Sequence, residues 1–428
     1  MSTQTMKAAT DPAHSHYDVV IIGGGLVGAS LACVLGEQNI SVAVIEAYPL
    51  NTQQQPCYDD RTVALSWGSR QILDSMGLWS AMQSQAEPIT HIHISDRGHF
   101  GVSRLHADEE KVEALGYVAE NRFLGEKLYQ KIATLKTVQL YCPASLLFED
   151  SLPDGQHPFA EKDNRVYLTL EIETGRKTLD TRVLVAADGQ HSQVKQQLNI
   201  GDSCQDYQQT ALVTNITPGL PHQNVAYERF TENGPVAFLP MRDNRCSVVW
   251  TMTDKQAKYI SSLADADFLQ QLQQVFGFRL GEFKKVGKRQ LYPLMLQEAT
   301  RFVHGRVVIV GNAAHTLHPV AGQGFNLALR DIALLAELLC DAHRHHKDMG
   351  SSVLLDRYVA LREKDIHRVY RFTDTLVKVF STSFAPLAHC RSAGLQLVDI
   401  MPPLKHVLAR QSMGLSGRRS RLARGLSL

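Results

Sequence analysis

Tyr17-Asp-Val-Val-Ile-Ile22-Gly-Gly-Gly-Leu-Val-Gly28 is the stretch on which the reading of the whole chain turns. Residues 17–22 are a short apolar run, the signature of a strand buried on both faces. Gly23, Gly25 and Gly28 make a G-x-G-x-x-G turn, and Leu26 to Gln38 has helical spacing. Ser41-Val-Ala-Val-Ile-Glu46 is a second buried run, so strand, glycine turn, helix and strand form a βαβ unit of a parallel sheet. Glycines there allow a tight turn and close approach to a pyrophosphate, which then faces a helix N-terminus. Glu46 ends the next strand, where a carboxylate accepts both ribose hydroxyls and repels a 2′-phosphate. The expected ligand is therefore FAD or NAD rather than NADP.

Two further turns lie downstream. Arg182-Val-Leu-Val-Ala-Ala187 is another buried strand, and it ends in Asp188-Gly189, by itself an ordinary turn signal. Residues 306–310 are a third such strand, leading into Gly311-Asn312-Ala-Ala-His315-Thr-Leu-His318-Pro319-Val-Ala-Gly322-Gln323-Gly324-Phe-Asn326 and a helix from about Phe325. Small residues in so long a loop let the backbone lie against a flat ligand, and the amides at the helix start favour a partly negative group. Between these turns the pattern changes to alternation: Leu212–Ile216, Val225–Phe230, Val236–Leu239 and Cys246–Thr251 read as antiparallel strands of a second, inserted sheet. Residues 353–412 read as mostly helical.

Composition narrows the class. The chain has 428 residues, 44 Lys+Arg against 43 Asp+Glu, and a hydrophobic content of 44%, which describes an ordinary globular protein and argues against nucleic-acid binding. Seven cysteines without a C-x-x-C pair argue against a zinc cluster or a disulfide framework and fit a reducing compartment. Met1–His16 has no signal-peptide pattern, and the most apolar helical stretch, Ile332–Cys340, is too short to span a bilayer. The expectation is a cytoplasmic protein, at most peripheral to the inner membrane. Met401–Leu428 holds one Lys, five Arg and no acid. Its Arg418-Arg419-Ser-Arg421 reads first as a solvated tail and, more sharply, as a contact for an anionic membrane surface or an acidic partner.

The ordered set of motifs, ending in G-N-A-A-H-x-x-x-P-x-x-G-Q-G-x-N and closed by Asp331, resembles the class A flavoprotein monooxygenases related to p-hydroxybenzoate hydroxylase. Asp59-Asp-Arg61-Thr-Val-Ala-Leu65, His93-Ile-Ser-Asp-Arg-Gly98-His99, Tyr227-Glu-Arg-Phe230 and Phe372-Thr-Asp-Thr-Leu376 are similar to the ubiquinone-biosynthesis hydroxylases, most of all their 2-octaprenyl-6-methoxyphenol branch. The resemblance implies an α/β fold: a Rossmann-like FAD-binding domain with a mixed parallel sheet, interleaved with an antiparallel-sheet substrate domain and followed by a helical C-terminal region. The corresponding division is a disordered extension at 1–16, an FAD-binding domain at 17–88, 120–205 and 289–345, a substrate domain at 89–119 and 206–288, helices at 346–412 and a basic tail at 413–428.

The same resemblance implies roles. Gly23, Gly25 and Gly28 would meet the FAD pyrophosphate and Glu46 its ribose. Arg61 would reach the flavin side, unless it is only a surface ion pair; Asp188 and Gly189 would lie near pyrophosphate and reductant. Asn312, where an aspartate is usual, would accept from a ribityl hydroxyl, Pro319 and the amides of Gly322, Gln323 and Gly324 would lie beside the flavin ring, and Asn326 would be a further cofactor-binding residue. Ser192-Gln-Val-Lys195 departs from the family's Ser-x-x-Arg. NADPH or NADH would dock transiently as reductant, since no second G-x-G-x-x-G exists. The implied reaction is hydroxylation of a polyprenylated phenol by O2 through a flavin hydroperoxide, with the strands from Leu212 to Trp250 flooring the pocket. His315 and His318 are the nearest candidates for proton transfer, or hold only backbone. The alternatives are a sister hydroxylase acting at another ring carbon, a flavin-containing scaffold that holds prenylated intermediates for partner enzymes of the pathway, and a flavin dehydrogenase or halogenase.

Overall fold

Three buried strands end side by side, and their ends carry the three turns. The computed structural model describes residues 14–50, 61–98, 101–148, 159, 161–316, 322–380, 394 and 396–428. In the first sheet β1 (His14–Ile22) pairs in parallel with β2 (Val42–Ile45) on one side and β12 (Gly175–Ala186) on the other. β8 (Val138–Tyr141) continues the sheet in parallel beyond β2, and β20 (Val307–Ile309) does so beyond β12. β9 (Ala144–Leu146), β10 (Glu161–Lys162), β11 (Arg165–Ile172) and β19 (Val303–His304) add antiparallel pairings. β1 begins three residues before the expected Tyr17, because β12 is long enough to offer Thr178–Asp180 as partners for His14–His16.

Both faces of this sheet are covered, as the uninterrupted apolar runs require. Val19 and Ile21 point to a core shared with α1 (Leu26–Glu37), α4 (Asn121–Ile132) and α8 (Gln323–Arg344), whereas Val20 and Ile22 face Leu168, Leu184 and residues of α9 (Ser352–Phe380).

The second sheet runs β21 (His315–Thr316), β18 (Gln290–Ala299), β13 (Asp202–Thr217), β16 (Arg245–Thr253), β15 (Gly234–Met241), β14 (Val225–Thr231), β5 (His91–Asp96), β6 (Val102–His106), with β17 (Lys285–Val286) beside β13. Each of the four expected antiparallel strands is present and longer than its apolar run, while β14 and β5 pair in parallel. Even-numbered residues Val236, Phe238, Val248 and Trp250 pack under α6 (Asp254–Ser262) and α7 (Asp265–Phe276). The opposite face meets a small sheet of β3 (Thr62–Ser66), β4 (Glu87–Ile89) and β7 (Gly116–Glu120). α2 (Trp67–Ser75) follows β3; α3 (Trp79–Met82) and α5 (Gln193–Gln197) are short.

Because β21 follows β20 directly and pairs with β18 at Glu298↔His315, the third turn belongs to both sheets at once.

The C-terminus departs from a solvated tail. α10 (Pro402–Ser412) is followed by residues 413–428, of which Met413, Leu422 and Ala423 are buried. The Met413 carbonyl accepts from Gly68 N at 2.9 Å, the Leu422 carbonyl from Ser75 Oγ at 3.1 Å, and Arg421 N donates to Glu337 at 2.6 Å. A few apolar side chains among the arginines are enough to dock the segment against α2 and α8. Among the described residues no helix is long and apolar enough to cross a membrane.

Candidate functional site

The first turn is built around contacts that only glycine permits. At Gly23 φ is +98°, and a Cβ would lie 2.5 Å from the Ala187 carbonyl oxygen; at Gly28 it would lie 2.0 Å from the Gly23 carbonyl oxygen. These two glycines lock β1, α1 and the end of β12 together. At Gly25 nothing lies within 4 Å, and α1 starts there without a side-chain cap, so its first amides are open to an anion. Glu46 is buried and accepts from Gly24 N at 2.7 Å and Tyr48 N at 2.9 Å. Burial pushes its carboxyl up. Two backbone bonds leave acceptor capacity on the two oxygens for a pair of hydroxyls. Tyr129 Oη donates to the Gly24 carbonyl at 2.6 Å, completing a clamp that has no counterpart in the local motif.

The other turns meet this one at the carboxyl ends of the strands, where open α/β sheets bind ligands. Ala187 N donates to the Ile22 carbonyl at 2.8 Å and Val310 N to the Ala186 carbonyl at 3.0 Å, so Asp188-Gly189 and Gly311 sit beside Gly23. Asp188 Oδ2 accepts from Val194 N at 3.3 Å, but its Oδ1 is buried with no partner among the described residues, and burial raises its carboxyl. An orphaned acceptor of this kind is costly unless a ligand donor reaches it. The Asn312 side chain is exposed beside it. Lys195, buried where the family pattern has arginine, donates to Asp202 at 2.6 Å and to the Ala313 carbonyl at 3.2 Å. It ties the second turn to the third rather than facing a ligand.

The third turn is anchored from below. His315 Nε2 bonds Asp331 Oδ2 at 2.6 Å, and the same carboxylate oxygen accepts from Gly311 N at 3.3 Å. Asp331 Oδ1 accepts from Arg362 Nε at 2.8 Å, Arg362 Nη1 reaches Asp365 at 2.7 Å, and Arg330 reaches Asp365 at 3.1 Å. Burial works against ionising Asp331, yet His315 and Arg362 outweigh it and hold the carboxyl below the ordinary carboxylate range. His315 Nδ1, on the other side of the ring, is buried and without a partner among the described residues. Gly322 caps α8 at φ +59°, Gln323 is buried, and Gly324 is open. Asn326 Oδ1 accepts from Ser66 N, and both its amide hydrogens go to the Ala64 and Gly322 carbonyls, each at 2.8 Å. It therefore fastens the turn to β3 and has no hydrogen left for a ligand. Arg61 lies over the Tyr292 ring at 5.3 Å. His318 and Pro319 lie outside the described residues.

Beneath these turns the second sheet presents a trough. Pairing aligns Ile94, Glu228, Ala237, Val249, Val213 and Gln290 across β5, β14, β15, β16, β13 and β18. All six are at least partly open, whereas Asp96, Phe230, Pro235, Thr251 and Ala211 in the next row are buried. The flanking rows touch consecutive residues of one segment: Ser247 accepts from Thr62 Oγ1 at 2.8 Å, and Tyr292 carries Arg61. That segment continues into the strand that seats Gly322.

The open α1 amides, the Glu46 acceptors, the orphaned Asp188 oxygen and the exposed Asn312 amide suit a dinucleotide with a polyhydroxylated linker. Comparison with known proteins agrees. The FAD binding domain family matches residues 16–373. Ubiquinone hydroxylase UbiL of Rhodospirillum rubrum is 38% identical over 414 residues, covering 96% of this chain and 93% of that protein. The 3-demethoxyubiquinol 3-hydroxylase of Escherichia coli is 30% identical over 402 residues, covering 93% and 98%. Among solved structures, p-nitrophenol 4-monooxygenase PnpA of Pseudomonas putida superposes with a TM-score of 0.76 at 18% identity, covering 95% of this chain and all of that one.

Proposed function

The chain belongs to the FAD binding domain family, and from that premise we propose that it hydroxylates a polyprenylated phenol on the route to ubiquinone, converting 2-octaprenyl-6-methoxyphenol to 2-octaprenyl-6-methoxy-1,4-benzoquinol with NAD(P)H and O2. It is an FAD-dependent aromatic monooxygenase. The observation that carries the reading is the convergence of three turns at neighbouring strand ends, joined through β3 and β21 to the mostly apolar trough of the second sheet. Bound FAD supplies electron transfer from the nicotinamide and activation of O2. The chain supplies the rest: α1 amides for the pyrophosphate, Glu46 for the ribose, and Asp188 and Asn312 for hydroxyls on the flavin side. Amides at the start of α8 favour negative charge, and the Asp331 clamp keeps that loop in place. Ile94, Ala237, Val249 and Val213 make the trough apolar, which suits a ring and its hydrocarbon substituents. NAD(P)H docks transiently, there being a single G-x-G-x-x-G turn.

A second ring position is the alternative, and the Escherichia coli relative that acts on 3-demethoxyubiquinol favours keeping it. Purified holoprotein given a prenylphenol, NAD(P)H and 18O2 should oxidise the nicotinamide in a substrate-dependent way and place one labelled oxygen on the ring. Mass spectrometry of the product then separates the two positions. A yellow protein with no substrate-dependent oxidation on any prenylphenol would leave a scaffold instead.

A prenyl-tailed substrate resides in a membrane. We propose the outward face of the C-terminal helices, with Leu397, Ile400, Leu404 and Val407 exposed, as the surface that meets an anionic bilayer.

A further inference from the structure

Glu228 is the one ionisable side chain in the trough row. Its row neighbours are Ile94 on β5 and Ala237 on β15, followed by Val249 and Val213. Along its own strand the same face carries Ala226 and Phe230, both buried. No hydrogen bond or ion pair links Glu228 to any described residue. A half-buried carboxylate among apolar side chains, without a cation or backbone donor, is destabilising for the folded chain unless a ligand completes it. Its neighbours in sequence are placed differently: Tyr227 packs against His93 and Phe276 on the far face, and Arg229 donates there to the Phe276 carbonyl at 2.6 Å. Alternation along β14 thus sends a single charged group of this cluster into the trough.

We propose that Glu228 accepts the proton of the substrate's ring hydroxyl. The assignment rests on the phenol-hydroxylase reading above and names the base that reading lacks. In this step the phenolic O–H bond breaks, its electron pair stays on the ring oxygen, and the proton becomes the acid proton of Glu228. No electron leaves the ring, and the resulting phenolate is the better nucleophile at its ortho and para carbons. Glu228 lies two strands across and two residues along from Ser247, about 12 Å at the usual strand spacing and rise. Ser247 is where Thr62 joins the sheet to the strand seating Gly322, so the ring lies between the carboxylate and the cradle.

The surroundings tune this carboxylate. Burial alone pushes it up to about 7. An ordinary glutamate is weaker than a phenolate by about 6 pKa units, and the shift closes roughly half of that gap. The titratable groups on the elements packed against it are otherwise engaged. Asp96 of β5 is buried, Glu87 of β4 accepts from Asn224 at 2.8 Å, and Asp374 of α9 accepts from Tyr207 at 3.4 Å. Arg245 and Glu120 pair with each other at 2.9 Å.

The test uses holoprotein with Glu228→Gln and Glu228→Asp, both first checked for flavin content by absorbance. In the parent protein kcat with prenylphenol should rise as pH passes upward through about 7, because the carboxylate must be ionised to accept. Glu228→Gln should lose on the order of 100-fold in kcat with little change in KM, and its profile should lose that limb. Glu228→Asp keeps a carboxylate and should retain part of the rate and a limb. If Glu228→Gln does not hold flavin, Glu228→Asp carries the test through its profile. A Gln variant within a few-fold of the parent, with the same pH limb, overturns the assignment while leaving the hydroxylase intact. A parent protein that hydroxylates no phenol refutes the broader reading instead.

Discussion

Two sets of ion pairs hold two helical regions of this molecule, and they differ in how much water they see. Under the cofactor loop, Asp331 and Arg362 are 1% and 5% exposed, and Asp365 and Arg330 12% and 14%. Under the C-terminal helices, Arg104–Asp399 is 53% and 28% exposed, Lys405–Glu109 15% and 46%, and His406–Glu110 53% and 7%. The same chemistry has opposite consequences. In the dry set, removing one member strands a charge that burial penalises heavily, so the set acts as a geometric lock on the loop at Gly311 and His315. In the wet set each bond competes with water and contributes little. Other forces must decide where the C-terminal helices lie.

The largest expected effect comes from breaking the lock. Arg362→Met leaves Asp331 and Asp365 without their shared cation and should cost about 3–5 kcal/mol of stability, measured by denaturant unfolding of the holoprotein. Flavin affinity should fall with it, because Asp331 also fixes Gly311 N and His315. Adding Asp331→Asn removes the stranded charge and should recover part of the loss. Strict additivity of the two changes would mean that the residues do not act as a unit.

Acid should discriminate next. His315 and Arg362 hold Asp331 below the ordinary carboxylate range against burial, and Arg330 and Arg362 do the same for Asp365. A carboxyl depressed in the folded state contributes stability that is present above its unfolded value, about 3.9, and lost as pH falls through the folded one. The lock should therefore stay closed down to about pH 4 and open below it. Followed by the fluorescence of released FAD, Arg362→Met should let go at a higher pH than the parent. Identical midpoints would show that the lock does not control the loop.

What could be read in the sequence was what spacing encodes. Gly23, Gly28 and Glu46 fall within one βαβ unit, and their contacts follow from that geometry. The strands from Leu212 to Thr251 alternate, and alternation survives in the structure as one face under α6 and α7 and one face in the trough. Contacts between distant segments left no such trace. Asp331 closes a recognisable motif, yet its partner Arg362 lies on the next helix among other charged residues. Tyr129 reaches Gly24 across more than a hundred residues, and β5 joins β14 in parallel from an equally remote place. The docking of Leu422 and Ala423 was hidden because two apolar residues among arginines look solvated until α2 and α8 are seen to cover them.

The smallest expected effect concerns the wet set, and it separates stability from surface function. Lys405→Ala with His406→Ala should lower stability by only about 0.2–1 kcal/mol per pair, an amount that salt reduces further. α10 is anchored besides by Ala409 and Leu408, which pack with Leu105 and Leu115. Its other side carries Leu404 and Val407, and residues 396–400 carry Leu397 and Ile400, with Ile400 and Val407 74% and 65% exposed. Side chains already in water lose no burial when made polar, so Ile400→Ser with Val407→Ser should leave unfolding unchanged. If this face meets an anionic bilayer, helped by the arginines of residues 410–424, the same double variant should float less with acidic liposomes than the parent, and high salt should weaken both. Equal flotation of parent and variant would remove the membrane role from this face and leave α10 with its inward contacts alone, the ion pairs and the packing of Leu408 and Ala409.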